Sequence, residues 1–242
     1  MKQIFRWQSP RLHRELTLVR WGTLGAPVLF FPTAGGDAEE IERFHMIDAL
    51  SDLIDGGKIR LYSVDSVSGQ AWLFEEGSVE HRLWLQNEYQ HAVRHEVIPA
   101  IQQDCHSLDL SVIACGASLG AFHAAAMVCR FPDVFERALC MSGTFDLERV
   151  FRLRYPTLDL YYSSPLHFLR DLDGEQIEKV QRRFVLFAAG EGRAENIHDS
   201  ERLAGLLGAK GVPHRVDNWG PNAHHDWPLW RTLAPKYLSE WI

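Results

Sequence analysis

One stretch of the chain joins a short apolar run, a tight turn and a helix-forming segment without interruption. The run extends from Val112 to Cys115, the turn reads Gly116-Ala-Ser-Leu-Gly120, and an Ala-rich segment follows it. A continuous apolar run is typical of a parallel strand buried on both faces. Glycines two positions before and after Ser118 avoid the Cβ clashes expected where a strand and a helix approach closely. The stretch therefore predicts a strand, a strained turn with Ser118 at its tip, and a helix.

A serine in this setting is typical of a nucleophile elbow. The turn lifts the side chain above the sheet, and the next amide lies at a helix N-terminus, where negative charge is favoured. We therefore predict that Ser118 is a nucleophile and that the Leu119 amide donates to an oxyanion. The alternative is a simple turn that opens a helix, with Ser118 as an ordinary cap.

The length and charge of the chain exclude several classes of protein. Its 242 residues are enough for one large α/β domain, so we expect a single domain over residues 1–242. A net charge of -7 leaves no basic surface for phosphates, and no nucleic-acid partner is predicted. No apolar run approaches the roughly 20 residues of a membrane span. The N-terminus lacks the apolar core of a secretory signal, which favours a cytoplasmic protein.

The cysteines are scattered along the chain without C-x-x-C spacing. They are Cys105, Cys115, Cys129 and Cys140. This distribution favours buried, reduced thiols over disulfides or a zinc site.

Apolar runs alternate with helical patterns along the whole sequence. The predicted strands are residues 3–8, 15–21, 28–31, 58–64, 112–115, 135–142, 183–189 and 214–219. The predicted helices include residues 37–55, 80–103 with a kink at Pro99, 199–210, and a last helix from residue 227. Repeated strand-then-helix units indicate an α/β fold, with a predominantly parallel central sheet and helices on both faces. Residues 147–182 are predicted to form a cap-like insertion over the active-site face, the alternative being an ordinary crossover.

Two loops that follow predicted strands are candidates for contact with a ligand. A Gly-Gly pair follows the 28–31 strand and allows backbone N–H groups to point outward, so Ala34 or Gly35 is a predicted second oxyanion donor. The alternative is a plain turn with Asp37 as the N-cap of a helix. Residues 65–80 are predicted as a loop at the carboxyl end of a strand, where ligands bind in open α/β sheets. Gln70 and Trp72 are therefore predicted substrate contacts, against a plain surface loop.

A serine nucleophile needs a base to take its proton and an acid to orient that base. The last predicted strand is followed by His224-His225-Asp226. The carboxylates that follow the 183–189 strand are Glu191, Glu195, Asp199 and Glu201. Asp199 and Glu201 fit the start of a helix, where negative charge is favourable without any catalytic duty. We predict Glu195, which has enough loop to fold back; the alternative is that it caps the next helix.

Several motifs carry a resemblance to a known family. Gly116-Ala-Ser-Leu-Gly120, with Phe131-Pro-Asp-Val-Phe and Ser142-Gly, resembles one esterase branch of the α/β-hydrolases. That branch includes S-formylglutathione hydrolases, feruloyl and enterochelin-type esterases, and mycolyltransferases. The stretch from His225 to Trp230 resembles the one that carries its catalytic histidine, and Gly190-Glu-Gly-Arg-Ala-Glu195 resembles its carboxylate loop. The resemblance implies an α/β-hydrolase fold and a triad of Ser118, His225 and Glu195.

The same resemblance implies a serine esterase that acts on a small-molecule ester or thioester, without a metal or an organic cofactor. An acyltransferase with the same triad is one alternative, and a non-catalytic α/β-hydrolase scaffold that binds a ligand is another. A metal hydrolase using His224, His225 and Asp226 is disfavoured, because adjacent histidines seldom reach one ion and no H-E-x-x-H spacing is present.

Overall fold

The computed structural model describes residues 1–153 and 155–242, and its centre is an eight-stranded sheet. The strands are Lys2–Ser9 (β1), Arg14–Trp21 (β2), Ala26–Phe31 (β3), Ile59–Val64 (β4), Val112–Ala117 (β5), Phe135–Met141 (β6), Phe184–Ala189 (β7) and His214–Asn218 (β8). Their order across the sheet is β1-β2-β4-β3-β5-β6-β7-β8. β1 and β2 run antiparallel to their neighbours, and the strands from β3 to β8 are parallel.

The depth of each strand in the sheet follows from its sequence. All six residues of β5 are buried, as a continuous apolar run at the centre of a parallel sheet requires. At the edge, β1 alternates between exposed and partly buried residues, which is typical of a strand with one face in water. The predicted α/β fold with a mostly parallel sheet is confirmed.

Helices cover both faces of the sheet. They are Glu40–Arg43 (α1), Met46–Ala49 (α2), Ser51–Asp55 (α3), Val67–Leu73 (α4), Val79–Ala92 (α5), Ile98–Cys105 (α6), Leu119–Arg130 (α7), Leu147–Phe151 (α8), Leu158–Ser163 (α9), Pro165–Asp171 (α10), Gly174–Gln181 (α11), Ile197–Ala209 (α12) and Trp227–Trp241 (α13). One core cluster joins the sheet to α1–α3 and α13, and a second cluster joins the other face to α4–α12. Each face of the sheet therefore packs against its own helical layer.

The single helix predicted over residues 37–55 is wrong, since the chain forms three short helices there. His45 lies between the first two in the left-handed conformation, with a φ of 61°. A right-handed α-helix cannot continue through a left-handed residue, because the carbonyl of that residue no longer points along the helix axis. The apolar face that predicted one helix is kept only in part: Ile41, Leu50 and Ile54 are buried, whereas Phe44 is 42% exposed and Ile47 is partly buried.

The loop predicted over residues 65–80 is also incorrect in part, because it contains α4. Gly69 suggests a loop in the sequence, yet it lies inside this helix. A Cβ atom on Gly69 would lie within 2.7 Å of Ala34 O and Leu119 Cδ2. The glycine therefore allows α4 to pack closely on the elbow and does not interrupt the helix.

The helix predicted over residues 80–103 is divided by a π-type segment. α5 ends at Ala92, residues Val93–Val97 form the π segment, and α6 continues from Ile98. Pro99 has no N–H for the carbonyl one turn earlier, and its ring crowds that carbonyl. The wider turn just before Pro99 gives the ring room, so the irregularity precedes the proline by a few residues.

Residues 147–182 form α8 to α11, and Arg154 within them lies outside the described residues. The segment contributes to the core, because Leu160, Leu166 and Leu169 are buried in the α4–α12 layer. That contribution is also what an ordinary crossover would make, and the cap-like insertion stays a prediction.

The cysteines in the structure are free thiols, three of them buried and Cys105 partly buried. Burial raises the pKa of the Cys129 thiol to about 12. Within the described ranges, no helix has the length and apolar character needed to cross a bilayer.

His123 is a histidine enclosed in the core beneath the elbow. Its ring is 1% exposed, and it contacts Ser68 Oγ at 3.3 Å and Gln86 Nε2 at 3.4 Å. Burial lowers its pKa to about 3, because the charged ring would lose its hydration. His123 is therefore a neutral structural residue, although it follows Ser118 by only five positions.

We expect His123 to make the fold sensitive to mild acid. Below a pH of about 6.5 the unfolded chain protonates this ring while the folded chain does not, so the free energy of unfolding falls with pH. Between pH 7 and pH 5 the wild type should lose about 2 kcal/mol more than a His123→Gln variant. Urea unfolding at both pH values measures this difference. The exposed His106→Gln is the control, and parallel profiles for wild type and His123→Gln would contradict the expectation.

Candidate active site

The Gly-x-Ser-x-Gly stretch forms a sharp turn between β5 and α7. Ser118 lies between them with a φ of 57° and a ψ of −118°, a strained conformation for a residue with a side chain. A Cβ atom on Gly116 would overlap the backbone of Gly120, and one on Gly120 would overlap the carbonyl of Phe31. The two glycines thus let strand, helix and neighbouring strand come together, as a nucleophile elbow requires.

The loop of residues 32–37 leaves β3 beside the elbow, and only some of its amides have an acceptor in the described part of the chain. The Thr33 amide donates to Glu40 at 2.8 Å, and the Gly36 amide donates to Thr33 O at 3.1 Å. Within the described part of the chain, the amides of Ala34 and Gly35 have no acceptor. The Asp37 amide also has no acceptor there, so the two residues predicted as oxyanion donors are among three whose N–H groups are available to a ligand.

Two side chains, Glu40 and Gln70, hold this loop, a role that sequence reasoning gave to neither. The Glu40 carboxylate accepts from both the amide and the hydroxyl of Thr33, at 2.8 and 2.5 Å. Burial raises the pKa of the Glu40 carboxyl. The Gln70 side-chain amide donates to Gly36 O at 3.0 Å, and its contact with a substrate stays a prediction. Thr33 and Glu40 are seven residues apart and Gly36 and Gln70 are 34 apart, and no local sequence pattern indicates either contact.

Trp72, the other predicted substrate contact, lies among aromatic rings. It packs edge-on to Phe151 at 4.8 Å between ring centroids and is tilted against Phe122 at 6.3 Å. Its indole N–H is buried and has no partner in the described ranges. The side chain thus links α4 to the start of the 147–182 segment, and contact with a substrate stays a prediction.

Residues 190–196 after β7 and residues 220–226 after β8 are joined along their length, and we call them the paired loops. Backbone bonds connect Glu191 N to Gly220 O, Gly192 N to Ala223 O, and His225 N to Arg193 O, at 2.9, 2.9 and 3.1 Å. Cβ atoms on Gly190 and Gly192 would overlap Ala223. The glycines therefore let two loops from neighbouring strands lie in direct contact.

The paired loops bring the predicted acid and base together. Glu195 Oε2 lies 3.9 Å from His225 Nδ1, and the two side chains are 1% and 22% exposed. This distance is longer than a hydrogen bond. Glu195 Oε2 has no other partner in the described part of the chain, so it is free to accept a hydrogen bond from the imidazole Nδ1–H.

The other carboxylates considered for the acid have different partners. Glu191 accepts from Asn218 at 2.7 Å in an exposed position. Asp199 is paired with Arg149 at 2.6 Å, and Glu201 contacts His198 at 2.8 Å on the surface. Their ion pairs and hydrogen bonds distinguish all three from Glu195, which faces His225.

The adjacent residues His224 and His225 also have different contacts. His224 Nδ1 accepts from the Arg193 amide at 2.9 Å, which ties this ring to the paired loops. The His225 ring lies edge-on to Trp230, 5.2 Å between centroids, and Asp226 caps α13 through the Trp227 amide at 2.7 Å. Among the described residues no group of histidines, cysteines and carboxylates is arranged to hold a metal ion.

Ser142 and Trp230 are further polar contacts of the site. Ser142 Oγ lies 2.5 Å from Glu195 Oε1 and 2.9 Å from Trp230 Nε1. Both residues stand in the motifs quoted above, but sequence reasoning gave neither a role. The motifs therefore marked these two residues, but the hydrogen bond between Trp230 and Ser142 depends on the fold and is not visible in the sequence.

Comparisons with known proteins identify a family for this chain and solved structures with a similar fold. Residues 82–238 match the model of the Putative esterase family. A search of curated proteins gave no match. A ferulic acid esterase is similar in structure, with a TM-score of 0.71, 13% identity, and coverage of 98% of this chain and 96% of that one. At this identity the likeness shows the fold.

Two other solved structures, both from Staphylococcus aureus, are similar to the same extent. One is an S-formylglutathione hydrolase, with a TM-score of 0.68, 13% identity, and coverage of 100% of this chain and 95% of that one. The other is a fluorophosphonate-binding serine hydrolase with substrate bound, with a TM-score of 0.68, 14% identity, and coverage of 99% and 97%. The family match spans more than half of the sequence and includes the elbow and both paired loops. The chain therefore belongs to the Putative esterase family and has the α/β-hydrolase fold of these solved structures.

Proposed function

We propose that the protein hydrolyses small-molecule carboxylic esters through an acyl-enzyme on Ser118. The observation that carries the proposal is the buried Glu195 carboxylate facing His225 Nδ1 across the paired loops. The elbow and both loops follow strands β5, β7 and β8, whose carboxyl ends lie at one edge of the parallel sheet. In open α/β sheets that edge is where ligands bind.

In the first half of the reaction, Ser118 Oγ attacks the ester carbonyl carbon. His225 Nε2 takes the hydroxyl proton, and Glu195 accepts the Nδ1 hydrogen bond and stabilises the imidazolium. The carbonyl oxygen becomes an oxyanion, which is bound by the Leu119 amide and by the amide of Ala34 or Gly35. The amides of Ala34 and Gly35, which have no acceptor in the described part of the chain, support this assignment.

In the second half, the tetrahedral intermediate collapses and the imidazolium protonates the leaving alcohol or thiol. Water then gives a proton to His225 and attacks the acyl carbon, and collapse of the second intermediate releases the acid and Ser118. The reaction balances without an electron carrier or a metal. The 3.9 Å between Glu195 and His225 is in keeping with a free enzyme, because catalytic hydrogen bonds often shorten when substrate binds.

The acyl group of the substrate is proposed to lie against aromatic side chains near α4. Trp72 and Phe151 present an aromatic pair beside α4, which suits an apolar acyl group. Gln70 acts through the 32–37 loop that it holds. A series of p-nitrophenyl esters of increasing acyl length tests this, and added alcohol acceptors separate hydrolysis from acyl transfer. Failure of a fluorophosphonate probe to label Ser118 would support a non-catalytic scaffold instead.

Replacement of the nucleophile gives the first test. We expect Ser118→Ala to keep the circular-dichroism spectrum and to lower kcat for p-nitrophenyl acetate by about three decades or more. Ser63→Ala is the matched control, since Ser63 is a buried serine of β4 whose hydroxyl has no partner in the described ranges. Near-normal hydrolysis by the folded Ser118→Ala variant would rule out the mechanism.

The neighbouring histidines provide a second test with an internal control. His225→Ala should abolish measurable turnover, because the proposed mechanism then lacks the base that takes the Ser118 proton. His224→Ala should keep activity within about tenfold of wild type, because this ring accepts from the Arg193 amide and does not face Glu195. The opposite ranking of the two variants in steady-state kinetics would reassign the base to His224.

The acid can be tested against a neighbouring carboxylate. Glu195→Gln keeps the shape of the side chain but removes the charge that stabilises the imidazolium, so kcat should fall by about two to four decades. Glu191→Gln is the control, because Glu191 contacts Asn218 on the surface. A large loss for Glu191→Gln with little change for Glu195→Gln would transfer the role of acid to Glu191.

A further inference from the structure

Ser142 lies immediately after β6, at the point where the chain turns beneath the paired loops. It is 3% exposed, and its amide donates to Ala188 O on β7 at 2.9 Å. Its φ is 49°, in the left-handed region that few residues other than glycine adopt. Such conformations cluster at sites where the position of one side chain matters.

The hydroxyl of Ser142 is held between two groups whose chemistry fixes the direction of its proton. An indole N–H can only donate, so Trp230 Nε1 occupies a lone pair of Ser142 Oγ at 2.9 Å. The hydroxyl proton is then free to point to Glu195 Oε1, which lies 2.5 Å away. The Trp230 donor thus makes Ser142 a donor to the carboxylate.

This hydrogen bond determines which carboxylate oxygen is available to the base. Oε1 is engaged by Ser142, and Oε2 is the oxygen that faces His225 Nδ1 without another partner in the described part of the chain. A carboxylate held at one oxygen cannot rotate freely in a site that is 1% exposed. Hydrogen bonds to an ionised acceptor are short and roughly twice as strong as neutral ones.

We propose that Ser142 is the positioning residue of the acid, and that Trp230 orients it by setting the direction of the Ser142 hydroxyl. The proposal rests on the proposed function, in which Glu195 supports His225. Ser142 is enclosed behind Glu195, so it acts through the carboxylate. It should therefore change the rate of the chemical step and leave substrate binding unaltered.

The test is steady-state hydrolysis of p-nitrophenyl acetate by Ser142→Ala and Ser142→Gly. Both remove the hydroxyl, and the glycine also relieves the left-handed backbone, so at least one is expected to fold as judged by circular dichroism. We expect kcat to fall about tenfold to a hundredfold, as when an orienting partner of a functional side chain is removed. KM should stay within about twofold, and Ser63→Ala should match the wild type.

A double-mutant cycle separates this role from a merely structural one. If Ser142 acts through the Glu195 carboxylate, Ser142→Ala should cause no further loss of rate in a Glu195→Gln background. Labelling by a fluorophosphonate probe over long incubations measures these slow variants. Trp230→Phe should show a smaller loss than Ser142→Ala, and this loss too should vanish in the Glu195→Gln background.

Two results would overturn the inference: Ser142→Ala and Ser142→Gly within twofold of wild type, or the same fold loss with and without the Glu195 carboxylate. Failure of the proposed function would appear elsewhere, as an active Ser118→Ala or Glu195→Gln variant. When those two variants show the losses of rate expected above, the Ser142 results bear on the positioning role alone.

Discussion

The position of Ser118 depends on close backbone contacts that leave no room for side chains. β5, α7 and β3 meet at a point where Gly116 approaches Gly120 and Gly120 approaches the carbonyl of Phe31. The space between them is too small for a Cβ atom, and Ser118 takes its unusual backbone conformation as a consequence. The position of the 32–37 loop follows as well, because it continues from β3 directly beside the elbow.

A second constraint is the burial of a carboxylate beneath the surface of the site. A charged group without water requires hydrogen-bond donors around it. Glu195 obtains one donor from Ser142, and its other oxygen is directed to His225. The buried carboxylate therefore favours an imidazole that stays beside it, since the Nδ1–H of His225 is the donor that this oxygen lacks.

The parts of the fold that depend on local patterns were predictable from the sequence. Continuous apolar runs identified the parallel strands within a few residues, and the spacing of Gly116, Ser118 and Gly120 predicted the elbow. The interruptions of helices were not predictable in the same way. His45 leaves the helical conformation without a sequence signal, and Gly69 resembles a loop residue because its reason for being glycine is the distant Ala34 carbonyl.

The candidate site divides along the same line. Loop length and the resemblance favour Glu195, and the structure adds that Glu191 and Asp199 have other partners while Glu195 faces His225. Contacts between remote side chains have no periodicity to detect. Ser142 is 53 positions from Glu195 and 88 from Trp230, so their meeting is set by the order of β6, β7 and α13 in space.

The backbone bonds between the paired loops also bear on how such a site changes over evolutionary time. Because Glu191, Gly192 and Arg193 are matched to partners in residues 220–226, an insertion in either loop would put Glu195 and His225 out of register. Side chains directed to solvent from these loops are free of that restriction. Diversification of substrate preference is therefore expected to occur through exchanges of side chains, or through the segments around α4 and α8, while the lengths of the two loops stay fixed together.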